Sequence, residues 1–299
     1  MSYAEFKEAL MAELEDFYNR DAKIFFKEVL KTNGVKLDGL NIVFDQDVRV
    51  NPVIYVNDLF EKYSNGEMTF DEVVGRIVET RERSGANTEI HDLVSNIMVW
   101  DQMSESVFPL LINSDANKEL LKDLVSREFL DLSVIYAIRI PSGAQDTWAS
   151  VKITKGMFEG YGISEDELHE QAMINLRDKD SLQVHSMYET LMKLNCVDIP
   201  IPEISNPNMY VLSNRSCNHG ASQLLNMSRL GEEYEGRSFY VIPSSIHEAI
   251  LVDYQENIDP EELNAMIRDV NDTVLDTAEV LSDHVYFYDG VCKEIRMCA

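Results

Sequence analysis

Apolar residues recur at helical spacing within the first twenty positions of the chain. They are Phe6, Leu10, Leu14 and Phe17. Acidic residues and lysines fill most of the positions between them. A period of three to four residues places the apolar side chains on one face of a helix. The pattern therefore predicts an amphipathic helix over residues 2–19.

A β-meander is predicted directly after this helix. Residues 23–30 have the composition of a strand, and residues 35–37 begin a second one. Asn33 and Gly34 lie between the two, and Asn-Gly supplies the positive φ angles that a tight hairpin turn requires. Residues 52–56 complete the meander as a third strand.

Three later helices are marked by the residues that begin them. Thr69 and Glu72 have the spacing of a capping box ahead of an apolar run. Ser164 precedes three acidic residues, which are favoured in the first turn of a helix. Pro260 suits the first helical position, because an N–H group there would have no partner inside the helix. We expect a helix to begin at each of these points.

Alternation of apolar and polar residues predicts several further strands. Residues 130–138 alternate, and residues 148–153 are expected to pair with them across a turn. In the last third of the chain, strands are predicted at 209–212, 238–242, 247–253, 285–288 and 291–295. A helix is predicted at 219–229, and Asp289-Gly290 is expected to close the terminal hairpin.

Hairpins and helices are mixed along the chain without the regular strand–helix–strand alternation of a parallel sheet. This order favours an α+β fold, with mixed antiparallel sheets and flanking helices, over a doubly wound one. The length of 299 residues suits two domains or one large one. We expect two abutting subdomains, residues 1–100 and a C-terminal α+β domain at 101–299. A proline-rich segment, residues 198–207, predicts a crossover within the second.

The chain is strongly acidic, with 53 Asp and Glu against 26 Lys and Arg and a formal net charge of -27. Acidic residues outnumber basic ones in both halves. Such a surface repels nucleic acid phosphates and anionic membranes, so we expect neither as a direct partner. No signal peptide pattern and no apolar run of the ~20 residues that span a bilayer is present, and the four cysteines are sparse and unpatterned. A soluble cytoplasmic protein is predicted.

Common catalytic and cofactor motifs are absent from the sequence. It contains no G-x-x-x-x-G-K-[ST], G-x-G-x-x-G or G-x-S-x-G pattern. Two His-Glu pairs, beginning at His169 and His247, lack the second histidine of a zinc-protease helix. A calcium-loop pattern begins at Asp45 but is not continued. We therefore expect no cofactor and no metal, the alternative being a scattered metal cluster of His169, His185 and Cys196.

The densest polar cluster near predicted strand ends lies in the last third of the chain, in two loops. The first loop follows a predicted strand and precedes a predicted helix, where backbone N–H groups could hold an anion. Its ligand-binding candidates are Asn214, Arg215, Asn218 and Gly220.

The second loop joins two predicted strands and combines serine, histidine and acidic residues. Its catalytic candidates are Ser244, Ser245, His247 and Asp253, with Glu248 as a further acid or a ligand-binding residue. Together they could supply a nucleophile, a base and an orienting carboxylate. Turn chemistry alone, ligand binding and catalysis all stay open for both loops, because Asn, Ser and Gly also satisfy backbone groups in turns.

Five segments, in chain order, resemble an uncharacterised bacterial family of domains of unknown function that is common in anaerobic gut bacteria. They are residues 31–42, 51–55, 127–132, 239–248 and 281–286. The resemblance spans nearly the whole chain and implies a cytoplasmic bacterial protein of one α+β unit or two abutting ones, but it brings no activity with it. Where the family tends to have an Asn-Gly-Ala-Ala-like run, this chain has Asn218-His219-Gly220-Ala221-Ser222, which weakens the case for a fixed site there.

An acidic chain without a recognisable reactive motif is interpreted as a non-enzymatic protein-binding module. Its partner would have a basic surface, because charge complementarity speeds encounter. Two alternatives stay open. One is a hydrolase or transferase that uses the serine and histidine candidates, and the other is an inhibitor that mimics nucleic acid in the basic groove of another protein.

Overall fold

The computed structural model describes residues 1–44, 53–85, 96–141, 148–193 and 208–298. The predicted crossover at 198–207, the calcium-like start at Asp45, the turn after residue 141 and Cys196 lie outside the described residues. None of the helices within those ranges combines the length and the apolar character needed to cross a membrane.

The chain divides into two compact units. The first consists of Met1–Lys31 and Val35–Met98, and the second of Thr32–Gly34 and Val99–Ala299. In the first unit, the described elements are α1 (Tyr3–Phe17), β1 (Lys23–Leu30), β2 (Lys36–Val43), β3 (Val53–Tyr55), α2 (Asn57–Ser64) and α3 (Phe70–Gly85). The three strands form an antiparallel sheet in the order β1-β2-β3, so the predicted helix and meander are confirmed.

Helix α1 is stabilised by a capping box at its start and by burial of its apolar face. Ser2 and Glu5 make a capping box, which satisfies backbone N–H groups that have no partner inside the helix. The buried face consists of Phe6, Leu10 and Leu14. Phe17, which the spacing predicts on the same face, is exposed instead, because the helix ends at this residue.

Asn33 and Gly34 turn the chain between β1 and β2. Their φ angles are 57° and 74°, a region that asparagine and glycine tolerate best. The two strands are paired as far as Leu30 opposite Lys36. Residues 31–35 therefore form the connection, which is longer than the tight turn that the Asn-Gly pair predicts.

The second unit contains two antiparallel sheets among its described residues. The strands of the first sheet are β4 (Val107–Asn113), β5 (Ser126–Phe129), β6 (Leu132–Pro141) and β7 (Trp148–Lys152). Strand β6 pairs with the other three. The strands of the second are β8 (Leu182–Ser186), β9 (Met209–Asn214), β10 (Phe239–Ile242), β11 (Ala249–Asp253), β12 (Tyr286–Asp289) and β13 (Glu294–Met297). Their order is β13-β12-β10-β11-β9-β8.

Helices accompany both sheets, which confirms the α+β fold. They are α4 (Trp100–Met103), α5 (Lys118–Leu121), α6 (Lys155–Tyr161), α7 (Glu165–Lys179), α8 (Met187–Lys193) and α9 (Pro260–Thr273). Ser164 caps α7 in a capping box with Glu167, and Pro260 is the first residue of α9, as predicted. The helix expected at 219–229 is a 3-10 helix over Gly220–Arg229.

The alternating strand predicted from residue 130 begins two residues later. Phe129 is paired with Leu132, so Leu130 and Asp131 form the turn between β5 and β6. Leu130 has a φ of 58°, which places it outside the extended region of a strand. This turn fixes the position of the Asp131 side chain.

The terminal hairpin is closed by residues 290–293 instead of by a tight Asp-Gly turn. Strand β12 ends at Asp289, and Lys293 has the positive φ of 58°. Gly290 is required for a different reason, because an added Cβ would lie 2.0 Å from the backbone oxygen of Arg237. The tertiary contact between two backbone segments therefore determines this glycine.

Candidate functional site

The structure brings the two predicted polar loops together. The hydroxyl of Ser213, near the end of strand β9, donates a hydrogen bond of 2.8 Å to the backbone oxygen of His247. The backbone N–H of His219 donates to Nδ1 of His247 at 3.3 Å. The loop between β10 and β11 therefore lies against the start of the 3-10 helix, and the strand predicted from His247 begins only at Ala249.

Asn214 and Asn218 hold the first loop in shape. The side-chain amide of Asn214, a residue that is 1% exposed, donates to the backbone oxygen of Asn218 at 2.9 Å and to Oδ2 of Asp180 at 3.1 Å. Its Oδ1 accepts from the Asn218 N–H at 3.2 Å. Asp180 in turn pairs with Arg139 at 2.6 Å. These amides serve the loop itself, while Arg215 beside them is exposed.

The serine and acidic candidates bond to groups other than the His247 ring. Oγ of Ser245 accepts from the backbone N–H of His247 at 3.0 Å. The Ser245 N–H donates to the backbone oxygen of Glu248 at 3.2 Å. Asp253 receives two contacts from Arg237, at 2.5 and 2.6 Å. The described hydrogen bonds therefore place Ser245 in a turn and Asp253 in an ion pair with Arg237.

The His247 ring faces the carboxylate of Glu279, a residue that the sequence did not single out. Nε2 of His247 lies 3.4 Å from Oε1 of Glu279. Because Nδ1 accepts from the His219 N–H, the ring proton is on Nε2 and faces Glu279. The backbone N–H of Ser244 donates to the oxygen of Ile242 at 2.9 Å.

His219 is held in its neutral form by its surroundings. Burial of the imidazole, followed by the charge of His247 in its protonated form and the positive charges of Lys152 and Arg139, lowers the pKa of His219 to about 4 from its ordinary value of 6.5. Burial favours the neutral ring because a charged group is poorly solvated in the protein interior.

Acid is expected to destabilise the fold through His219. Between pH 6.5 and 4 the unfolded chain binds a proton that the folded chain does not, so stability rises with pH across this window and is lost as the pH falls. We expect a loss of about 2 kcal/mol, below the full value of the shift because the ring retains partial contact with solvent. Urea denaturation at stepwise pH measures it.

His219→Asn is the informative variant for this prediction. His219 has a φ of 52°, which asparagine tolerates. The variant should show a shallower decrease in stability over the same pH window. Identical pH profiles for the variant and the parent chain would contradict the role assigned to His219.

A second polar site forms around Asp131, which no catalytic or metal-binding motif indicated, although Asp131 and its partners lie in two of the segments that resemble the family. Its carboxylate accepts hydrogen bonds from the hydroxyls of Ser282 and Tyr286, each at 2.6 Å, and from Nδ1 of His284 at 3.0 Å. Burial, followed by the charge of Asp131, raises the pKa of Tyr286, so its O–H group stays protonated at neutral pH. Asp131 thus binds the turn after β5 to the segment that leads into β12.

The segment 281–285 is held by two asparagines of α9. Nδ2 of Asn271 donates to the backbone oxygen of Ser282 at 3.0 Å and to Oδ1 of Asp283 at 2.7 Å. Oδ1 of Asn264 accepts from the Val285 N–H at 2.7 Å. These bonds fix a stretch with no regular structure of its own, so that alternate residues 282, 284 and 286 reach Asp131.

Asn33 and Asn113 belong to the opposite wall, and Asn117 holds Asn33 in place from behind it. Nδ2 of Asn33 donates to the backbone oxygens of Thr277 and Val280, at 2.7 and 2.6 Å. Nδ2 of Asn117 donates to Oδ1 of Asn33 at 2.6 Å, and Nδ2 of Asn113 donates to the oxygen of Leu281 at 3.1 Å. Side-chain amides suit this task because each offers both donors and an acceptor.

These walls enclose a cavity of about 520 Å³, here called the Asp131 cleft. Its charged and polar lining consists of Asn33, Asn113, Asp115, Asp131, Asn271, Asp272, Thr277, Asp283 and His284. Neither lysine nor arginine is among the described residues that line it. Lys118, which pairs with Asp115 at 2.7 Å, lowers the pKa of that carboxyl, so Asp115 is ionised at neutral pH.

The cleft can act chemically in two ways. Its aspartates offer carboxylate oxygens to a cationic group. His284, whose side chain is 50% exposed, has Nδ1 bonded to Asp131 and leaves Nε2 as the nitrogen that can exchange a proton, as in an imidazole oriented by a carboxylate. No group of three or more His, Cys, Asp or Glu in the described ranges is arranged to hold a metal ion.

Comparison with known proteins identifies one family. A model described as a family of unknown function, DUF5688, matches residues 3–290. No curated protein and no solved structure matches the chain.

Proposed function

Since the chain belongs to DUF5688, a family of unknown function, we propose a function from its geometry: it is a protein-binding module whose basic partner inserts a lysine or arginine side chain into the Asp131 cleft. The observation that carries the proposal is the charge of the cleft. Four aspartates line it, and its described lining contains no lysine or arginine.

Asp272 and Asp283 are the acceptors that an incoming cation would reach. Both are exposed, and Asp283 commits only Oδ1 to Asn271. The carboxylate of Asp131 already accepts three hydrogen bonds, so it contributes its negative charge and holds the wall in place. A guanidinium group matches such a site well, because its planar donors bond carboxylates in pairs.

The charge of the whole chain acts in the same direction. A formal net charge of -27 attracts a basic partner over a distance and accelerates its encounter with the surface. The cleft would then select where the partner docks.

The described cysteines, Cys217, Cys292 and Cys298, are free thiols, which supports a reducing compartment such as the cytoplasm.

A hydrolase or transferase based on the predicted serines has less support. A serine nucleophile needs its hydroxyl within hydrogen-bond reach of a base. The described bond between Ser245 and His247 runs to the backbone N–H of the histidine, and Asp253 is paired with Arg237.

The binding proposal is tested with a short fluorescein-labelled peptide that contains two arginines and with the same peptide in which citrulline replaces them. Citrulline keeps the shape of arginine and removes its charge. Anisotropy titration should give a Kd for the arginine peptide at least roughly tenfold lower than for the citrulline peptide. Equal affinities would contradict the proposal.

A matched pair of variants locates the binding. Asp272→Asn with Asp283→Asn and, as control, Glu8→Gln with Glu13→Gln each change the net charge from -27 to -25. All four residues are exposed. We expect the first pair to raise the Kd of the arginine peptide roughly tenfold and the second to change it less than about twofold. Equal weakening by both pairs would show diffuse attraction instead of a site.

A further inference from the structure

A second cavity of the same unit combines an apolar wall with positive charge. It measures about 440 Å³ and is here called the His169 cavity. Its apolar wall comes from β5, β6, α7, the 3-10 helix and β13, through Phe129, Val134, Met173, Leu224, Leu225 and Ile295. Cavities of this size, lined by apolar side chains with a few convergent polar groups, are typical of small-molecule sites.

Among the described residues, two cationic side chains line this cavity, in a chain that has twice as many acidic residues as basic ones. They are Arg127 and Lys293. Nη2 of Arg127 lies 2.5 Å from Oδ1 of Asp166, whose side chain is 84% exposed. This ion pair holds one edge of the guanidinium from the solvent side. Tyr136 also receives a hydrogen bond from Arg127. Because a guanidinium has five N–H bonds, donors are left for a ligand.

His169 adds a neutral donor. Its Nδ1 lies 3.0 Å from the hydroxyl oxygen of Tyr136. The positive charge of Arg127 acts on both residues, and it attracts the lone pairs of the phenolic oxygen, so that the O–H bond points away from it toward His169. Nδ1 therefore accepts, and the ring proton is on Nε2.

The protonation states agree with this arrangement. Burial, followed by the charge of Arg127, lowers the pKa of His169, so the ring is neutral at neutral pH. Burial raises the pKa of Tyr136 to about 12, so its hydroxyl keeps its proton. The lining thus offers two cations and an imidazole that presents one N–H donor.

We propose that the His169 cavity binds a small carboxylic acid with an apolar body, such as a medium-chain fatty acid, with its carboxylate at Arg127, Lys293 and His169 and its chain against the apolar wall. The acidic chain as a whole repels an anion. Local charge-assisted hydrogen bonds and burial of the apolar body are what would hold it. Glu128, which also lines the cavity, reduces the net charge of Arg127 and Lys293 to one positive unit, which matches a ligand with one negative charge and disfavours one with two.

Isothermal titration calorimetry with sodium octanoate and with octanamide tests this site. The two probes share the apolar chain and differ in the charge of the head group. We expect saturable octanoate binding, with a Kd at least roughly tenfold below that of octanamide. Absence of saturation up to about 5 mM octanoate, or equal affinity for the two probes, would overturn the proposal.

Variants separate the head-group contacts from the general charge. Arg127→Gln with Lys293→Gln and, as control, Lys62→Gln with Arg83→Gln each change the net charge from -27 to -29. The first pair should raise the octanoate Kd roughly tenfold and leave octanamide unchanged, and the control should change neither by more than about twofold. An equal effect of both pairs on octanoate would overturn the proposed contacts.

The apolar wall is tested by filling the cavity. Met173→Trp should abolish octanoate binding. Its thermal unfolding temperature is measured to verify that the variant chain still folds. If Met173→Trp does not fold, the single variant Lys293→Gln, at an exposed residue, tests the site instead. It should weaken octanoate binding several-fold and leave octanamide binding unchanged. Full octanoate affinity in folded Met173→Trp would place the ligand elsewhere. Because the probe and the residues differ from those of the Asp131 cleft, this test succeeds or fails independently of the arginine-peptide test.

Discussion

Replacing Asp131 with alanine is expected to lower the free energy of unfolding by about 4 kcal/mol. The change removes the acceptor of Ser282 and Tyr286, both of which are fully buried. Each buried donor without an acceptor costs roughly 1–3 kcal/mol, because it has lost its bond to water and gained none in the protein. His284 is half exposed and can bond to water instead. Urea denaturation followed by circular dichroism measures the loss.

Two control experiments test whether the effect of Asp131→Ala is specific to the lost hydrogen bonds. Asp123→Ala removes an exposed aspartate and should change stability by no more than about 0.5 kcal/mol. In a double-mutant cycle, Tyr286→Phe removes the hydroxyl that Asp131→Ala leaves without an acceptor. The loss of stability caused by Tyr286→Phe should therefore be about 1–2 kcal/mol smaller in the Asp131→Ala background than in the parent chain. Additive losses, or an Asp131→Ala variant as stable as the parent chain, would show that the carboxylate does not hold these donors.

Gly220→Ala is expected to cost about 3 kcal/mol, at the upper end of what overpacking usually costs. An added Cβ would lie 2.1 Å from Oγ of Ser213, 2.5 Å from the backbone oxygen of His247 and 2.7 Å from the backbone N of Asn214. The serine hydroxyl can rotate away, but the two backbone atoms belong to β9 and to the loop that precedes β11. The three segments would have to separate to admit one methyl group.

Gly156→Ala is the control for this substitution. Nothing lies within 4 Å of a Cβ at Gly156, which is in helix α6, where alanine is favoured over glycine by about 1 kcal/mol. We expect it to leave the chain as stable as before or slightly more stable in the same denaturation experiment. Equal stability of the two variants would mean that the β9 end and the His247 loop do not pack as closely as described.

Signals that involve neighbouring residues predicted their elements well. The capping boxes of Ser164 and Thr69 formed, because the bonding groups are only three residues apart and need nothing else. Positive φ at Asn33 and Gly34 follows from the same short-range chemistry. Gly290 resembled a turn residue but is fixed by the backbone of Arg237, which a dipeptide cannot reveal.

The predicted polar loops show the same division. The sequence pointed to polar residues in two separate loops, but it determined neither that the loops meet nor which atoms of their side chains bond. The serine hydroxyl meets the backbone of His247, whereas the ring faces Glu279. The direction in which a side chain points depends on the strand end or turn that carries it. The positions of these strand ends and turns depend on pairing with strands that are distant in the sequence.

The sequence by itself determined helices α1, α3, α7 and α9, most strand positions, the α+β class and the acidic charge, because caps, periodicity and composition depend on residues within a few positions of each other or on totals. Only the tertiary structure decided the Asp131 cleft. Asp131 lies 151 residues from Ser282 and 155 from Tyr286, and their contact exists because the turn after β5 and the approach to β12 are placed side by side by two separate sheets. No local pattern encodes that adjacency, since each segment gains its partner only when the whole unit has folded.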